Sequence, residues 1–248
     1  MSFERPTAGA GMGAEPAPLT ATSTGQPDGP GLSPAMRLQI LSTEHWSLLA
    51  SRSLAWNESF SRAGMFLSTL SGAIVALALV AQASDFGEGF RIFALVILPV
   101  VFIVGVGTLL RMGIANHHDA RCVIGMNRIR AAYMELAPDL ERYFVMGTTD
   151  DDRGVQLTMG VRPRTPMVVQ MLASTPMLVS VLNAILFAAI VAILALQLEI
   201  STLTSIGLGA IAFVAAMASF VWYAGRDIAM AMSEHQPRFP GERSLDEA

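Results

Sequence analysis

Residues 63–84, 92–110, 165–198 and 200–225 of this 248-residue chain contain no Asp, Glu, Lys, Arg or His. An α-helix rises about 1.5 Å per residue, so roughly 20 apolar residues cross a hydrocarbon core about 30 Å thick. Each of the four stretches is long enough to do so. A backbone in lipid must satisfy its polar groups within its own segment, which makes helices the structure to expect. Composition agrees: 52% of residues are hydrophobic, only 15% are charged and the mean hydropathy is +0.50, outside the range of ordinary soluble domains. The sequence therefore predicts an all-α integral membrane protein with four transmembrane helices and helical extensions outside the bilayer.

The remaining residues organise around those spans. Residues 1–32 are rich in Gly, Pro, Ala, Thr and Ser without the apolar core of a signal peptide, and are expected to form a disordered tail. Ser33 followed by Pro34 signals a helix start. Over residues 33–61 the apolar positions Leu38, Leu41, Leu48, Leu49, Trp56 and Phe60 share one arc, opposite Thr43, Glu44, Ser47, Ser51 and Glu58. This amphipathic helix either lies on the membrane surface or prolongs the first span. Residues 62–112 form a transmembrane hairpin with a short connection over residues 84–91, and Pro99, Gly105 and Gly107 predict a kink or local loosening in its second helix. Residues 113–173 are a helical connection and loop. Cys122, Met126, Ile129, Tyr133 and Leu136 make a heptad-like seam seeking a partner helix, and Pro138 ends that helix. A further short helix is expected over residues 138–145 and a polar loop over 147–166. The second hairpin covers residues 174–225, with a helix start at Ser174, Thr175 and Pro176, and residues 226–248 form a polar tail.

Orientation follows from arginine, since all 16 basic residues are Arg. Four precede the first span, eight lie between the second and third, three follow the fourth, and only Arg91 is on the other side. The positive-inside rule then places both termini and the long connection in the cytoplasm of a multi-pass protein of an inner or plasma membrane.

No ionisable residue lies inside any span, which argues against a proton relay or a voltage sensor. Asn183, with Ser180 a turn earlier, and Ser68, Thr69 and Ser71 on the first span are the polar groups at depth, read as interhelical hydrogen bonds. Gly64, Ser68, Gly72 and Ala76 recur every four residues as a ridge for close helix contact, within the chain or between subunits. Asp85, Glu88 and Glu199 are the acids of the outer side. They are solvated loop charges in a monomer and a cation-concentrating rim in a symmetric oligomer. His118 and Cys122 are the nearest approach to a metal pair, but they also lie on the apolar seam, where packing explains them; no metal or other cofactor is expected. Asp150, Asp151 and Asp152 read as a solvated turn without the spacing of a calcium loop. His45 and Arg52 interrupt the first apolar arc, either snorkelling to headgroups or lining a vestibule. Arg121 and Arg128 are expected to be solvated. The single Cys122 excludes an intramolecular disulfide. Phosphate-binding glycine loops, nucleophile elbows and basic patches interleaved with aromatics are absent, so neither an enzyme nor a nucleic-acid binder is expected.

The layout of an amphipathic helix entering span one, a short outer hairpin, a long helical cytoplasmic connection and a second outer hairpin resembles the Orai family of calcium channels over residues 33–233. That resemblance implies that span one lines a pore, with basic residues at its inner end and a carboxylate at its outer end, positions held here by Arg62 and Asp85. The paired hairpins also resemble small membrane effectors of bacterial defence systems. The leading expectation is a homo-oligomeric, cation-conducting pore, with Asp85 and Glu88 at the outer mouth, Phe66, Leu70 and Ile74 as a hydrophobic constriction and Arg62 at the inner mouth. A non-conducting, membrane-anchored scaffold and a membrane-perturbing effector are the alternatives. The lipid bilayer, further copies of the chain and an inorganic cation are the partners implied.

Overall fold

The computed structural model describes residues 31–160 and 167–241; the expected N-terminal tail lies almost wholly outside the described residues. Within them the chain is helical throughout, without a strand. Helix α1 is Pro34–Ser84, 51 residues, and α2 is Glu88–Leu136, 49 residues. Each is about 75 Å long, well over twice the thickness of a bilayer core. The amphipathic segment therefore does not lie across the first span but prolongs it. Ser33 caps α1, its hydroxyl accepting from the Met36 N–H at 3.3 Å, and Pro34 occupies the first turn.

The first connection is tighter than expected. Asp85 and Phe86 adopt left-handed conformations with φ of 48° and 55°, and α2 resumes at Glu88, which sits in its first turn. Helix α2 runs unbroken through Pro99, Gly105 and Gly107 and stops at Leu136, two residues before Pro138. A 3-10 turn, Pro138–Tyr143, follows; a short helix, α3 (Asp152–Thr158), interrupts the expected polar loop over residues 147–166, and another, α4 (Met167–Leu172), lies just beyond it. Helix α5 (Thr175–Gln197) is capped by Ser174, whose hydroxyl accepts from the Met177 N–H. Helix α6 (Thr202–Glu234) returns and extends about three turns beyond Tyr223. We call the end where the chain enters α1 and leaves α6 the arginine face, and the end with the two tight turns the hairpin face.

The four long helices pack in the order α1, α2, α5, α6. Phe66 and Leu70 of α1, Leu98 and Val101 of α2 and Val179 and Leu186 of α5 meet in one apolar core. Helix α6 lies chiefly on α5. There Gly209 permits close approach, because a Cβ at that position would rest 3.1 Å from the Ala188 carbonyl oxygen and 3.2 Å from the Ala192 Cβ. All four helices are long and apolar enough to cross a membrane.

Candidate functional site

The residues nominated for a pore fall on different sides of α1. Phe66 is 0% exposed and Leu70 is buried, both within the chain's own core, whereas Ile74 is 56% exposed. The three do not share one open face. Arg62 donates to Glu58 at 3.0 Å, and Glu58 also accepts from Arg111 of α2 at 2.8 and 2.9 Å. A carboxylate held between two guanidiniums thus ties α1 to α2 at the arginine-side end of the span. At the hairpin face Asp85, Glu88 and Glu199 are all exposed, and Arg91 turns from them to the Leu196 carbonyl at the end of α5, 3.5 Å away. Helix carbonyls without intrahelical partners carry partial negative charge, which favours a cation there.

The ridge of small residues on α1 points away from the other helices. Gly64, Ser68 and Gly72 are exposed and Ala76 is half-buried, and a Cβ at Gly64 or Gly72 would find no atom within 4 Å. Asn183 is at the opposite extreme. It is 0% exposed, pressed against Gly105 and Phe66, and neither amide atom has a hydrogen-bond partner. The expected interhelical hydrogen bonds do not form. Thr69, Ser71 and Ser180 bond instead to carbonyls of their own helices, those of Met65, Leu67 and Pro176, as hydroxyls in helices commonly do. At Gly105 the close approach is obligatory, because any Cβ would run into the Asn183 amide and the Phe66 ring.

Outside the span, α1 and α2 continue as an antiparallel pair, and polar residues that seemed to interrupt the apolar arc meet complements on α2. Asp119 is buried and accepts from Arg52 Nε at 2.6 Å and from the Trp56 indole N–H at 2.9 Å. His45 stacks on Tyr133 with ring centroids 6.0 Å apart. Neither His45 nor Arg52 snorkels outward, because the seam of Cys122, Met126 and Ile129, all buried, has found its partner helix in α1. His118 Nε2 lies 2.9 Å from Ser51 Oγ and 3.6 Å from Cys122 Sγ. Among the described residues no group of three His, Cys, Asp or Glu side chains is placed to hold a metal ion.

The sequence reading missed a polar clasp built on Asp150. That residue was expected in a solvated turn, yet it is 0% exposed. Its carboxylate accepts from Arg128 Nε at 2.7 Å, from the Phe239 N–H at 2.7 Å and from the Arg238 N–H at 3.0 Å. Its own N–H donates to the Phe239 carbonyl and its carbonyl meets His235 Nε2. Asp151 caps α3 through the Gly154 N–H and also accepts from the Gly241 N–H and the Thr149 hydroxyl. Gly154 is required here, since a Cβ would strike the Thr149 carbonyl. Burial alone would push both carboxyls up. The Arg238 and Phe239 amides with Arg128 outweigh it for Asp150, and the Gly241 and Gly154 amides with Thr149 do so for Asp151, holding both below the usual carboxylate range. The loop after α2 thus grips residues 235–241, and Arg128, expected to be solvated, is part of the grip. Asp152 alone of the three remains exposed.

Fold and site together define an all-helical, multi-pass membrane protein whose helices run beyond the bilayer into a polar, cross-linked layer. No protein-family model, curated protein or solved structure matches the chain.

Proposed function

We propose that the chain assembles with copies of itself around α1 and forms a cation-conducting pore. The face of α1 opposite its core carries this reading. It presents Ser61, Gly64, Ser68, Gly72 and Gln82 outward, all of them exposed, with open space at both glycines. A stripe of small and hydroxyl residues contributes little to a lipid contact but suits either close helix packing or a polar wall. The comparable small residues on α6, Ser205, Gly209 and Ala212, are buried against α5, so the chain uses this device where a helix neighbour exists. In the proposed assembly the lining passes from Phe66 and Leu70 to the open face, with Val75 and Leu79 as its apolar narrowing, Asp85 and Glu88 at one mouth and Arg62 at the other. The positive-inside rule puts the arginine face in the cytoplasm.

Cation flux into liposomes containing the purified protein tests this. The Asp85→Asn, Glu88→Gln double variant should lower the preference for cations, and Gly72→Leu should break the assembly and end the flux. Absence of flux with the native chain, or unchanged selectivity in the double variant, refutes the pore. One observation favours a scaffold instead: Leu38, Trp46, Leu49 and Leu54 are exposed on the part of α1 beyond the bilayer. A native chain that conducts nothing but captures a partner through that surface would establish the scaffold.

A further inference from the structure

A cavity of about 400 Å³ separates the two hairpins near the arginine face, within the size range of sites that hold a small organic molecule. All four long helices line it: Trp56 and Phe60 from α1, Met112 from α2, Met177 from α5, and Phe220 and Ile228 from α6. The Trp56 indole N–H is spent on Asp119, which leaves the ring as a wall. None of the lining residues is charged. Of the cations close in sequence to its walls, Arg52 is paired with Asp119 and Arg62 and Arg111 with Glu58, His117 faces Asp227 at 3.5 Å, and Arg226 lies over the Trp222 ring, 5.7 Å from its centroid.

One lining group stands out. Ser59 is 7% exposed, no side-chain hydrogen bond ties its hydroxyl to another described residue, and its oxygen, unlike the sealed amide of Asn183, keeps accessible surface. Ser174 and Ser180, also in the wall, have used their hydroxyls on the carbonyls of Met171 and Pro176. A hydroxyl left accessible in a largely apolar wall is available to donate to or accept from an occupant of the cavity. Its lining includes Phe60 and Met112, close in sequence to Arg62 and Arg111, and Ser174, Thr175 and Pro176 at the start of α5.

We propose that this cavity binds an uncharged membrane hydrophobe whose hydroxyl or carbonyl group bonds to Ser59, the chemistry shared by acylglycerols and isoprenoid quinones. The site stands apart from the pore reading and does not depend on it. The absence of lining cations selects against anionic headgroups, and the aromatic and thioether walls suit an alkyl or prenyl chain.

The full chain in nanodiscs, with Trp46→Phe and Trp222→Phe leaving Trp56 as the sole reporter of the three tryptophans, supplies the test. A dibrominated monoacylglycerol should quench Trp56 saturably, whereas dibrominated phosphatidylcholine and phosphatidylglycerol should quench weakly and without saturation. Ser59→Ala should raise the half-saturating concentration about three- to tenfold. Ala224→Leu should abolish saturation by filling the cavity, with Ala173→Leu, a lining position just before α5, as the second filling variant. Each variant must keep the native thermal midpoint to be read. Displacement of the bromolipid by a short-chain prenylated quinone names the quinone as a ligand, and failure to displace names the glycerolipid; both uphold the neutral-head site. Equal, unsaturating quenching by all three lipids, preference for the anionic lipid, or an unchanged half-saturation in Ser59→Ala overturns it.

Discussion

Replacing Asp150 by Asn keeps the shape of the clasp and removes its charge. The carboxylate serves three donors, Arg128 Nε and the Phe239 N–H at 2.7 Å and the Arg238 N–H at 3.0 Å, spread over both oxygens. An amide retains one acceptor oxygen, so one of the close donors must face an NH2 group, and the bond that survives loses its ionic component. Hydrogen bonds to a charged group contribute about 1.5–3 kcal/mol each. The Arg128 side chain is 30% exposed and can turn to water, so the full penalty of a broken buried ion pair does not apply. The net loss is then about 3 kcal/mol of clasp stability, roughly a hundredfold in its opening equilibrium. Limited trypsinolysis reads this directly, because the Arg238–Phe239 bond lies inside the clasp and is cut only when the tail detaches. Cleavage there should accelerate on the order of a hundredfold in Asp150→Asn and stay unchanged in Asp152→Asn, whose carboxylate is exposed. A cleavage rate within about twofold of native in a chain of unaltered helix content would refute the clasp, since opening and cutting are then not linked as the geometry requires.

Because Asp150 and Asp151 are held below their ordinary values, the stability they contribute is complete above the unfolded carboxylate pKa near 4 and falls away as pH drops through their folded values. A spin label at Gln236→Cys in a Cys122→Ser background should therefore stay immobile from neutral pH to about pH 5 and loosen only below about pH 4; loosening near pH 6 would contradict the assignment. Gly105→Ala should cost about 2 kcal/mol by overpacking against Asn183 and Phe66, and Asn183→Ala in the same chain should recover much of it. Strictly additive losses in thermal denaturation would show that the two sites do not meet. Asp119→Ala should destabilise by about 3 kcal/mol, because Arg52 and the Trp56 indole lose their acceptor, with the loss reduced when Arg52→Met is added; an unchanged loss in the double variant would remove Arg52 from the interaction.

The parts of the structure that solvent dictates were legible. A bilayer demands about 20 apolar residues per crossing, so four uncharged stretches announce four spans. Backbone chemistry at the ends was equally local: Ser33 with Pro34 and Ser174 with Pro176 start helices, and Pro138 stops one. The continuity of α1 was not decidable from its own residues. Nothing between Phe60 and Gly64 breaks a helix, but a surface helix and a prolonged span share the same amphipathic pattern. What selects the prolonged form is tertiary, since Arg52 and His45 find Asp119 and Tyr133 on α2.

The same separation between local and distant information explains the misreading of Asp150. A run of three aspartates is ordinarily solvated, and nothing within ten residues contradicts that reading. The partners that bury Asp150 are Arg128 on α2 and the backbone of Arg238 and Phe239, 88 and 89 residues downstream. One signal was present in the sequence: Asp151 and Gly154 have the spacing of a helix cap, which orders the loop whether or not a partner arrives. Asn183 and Gly105 were each singled out, the first as a polar group at depth and the second as a loosening of α2, yet their meaning is joint, because the missing Cβ of one makes room for the amide of the other. Inside the bilayer such pairings are few and apolar periodicity suffices to place the helices. Beyond it α1, α2 and the tail behave as a water-soluble protein does: charges there are stable in burial only through specific partners, and a partner 67 or 88 residues away leaves no trace in the pattern around either residue.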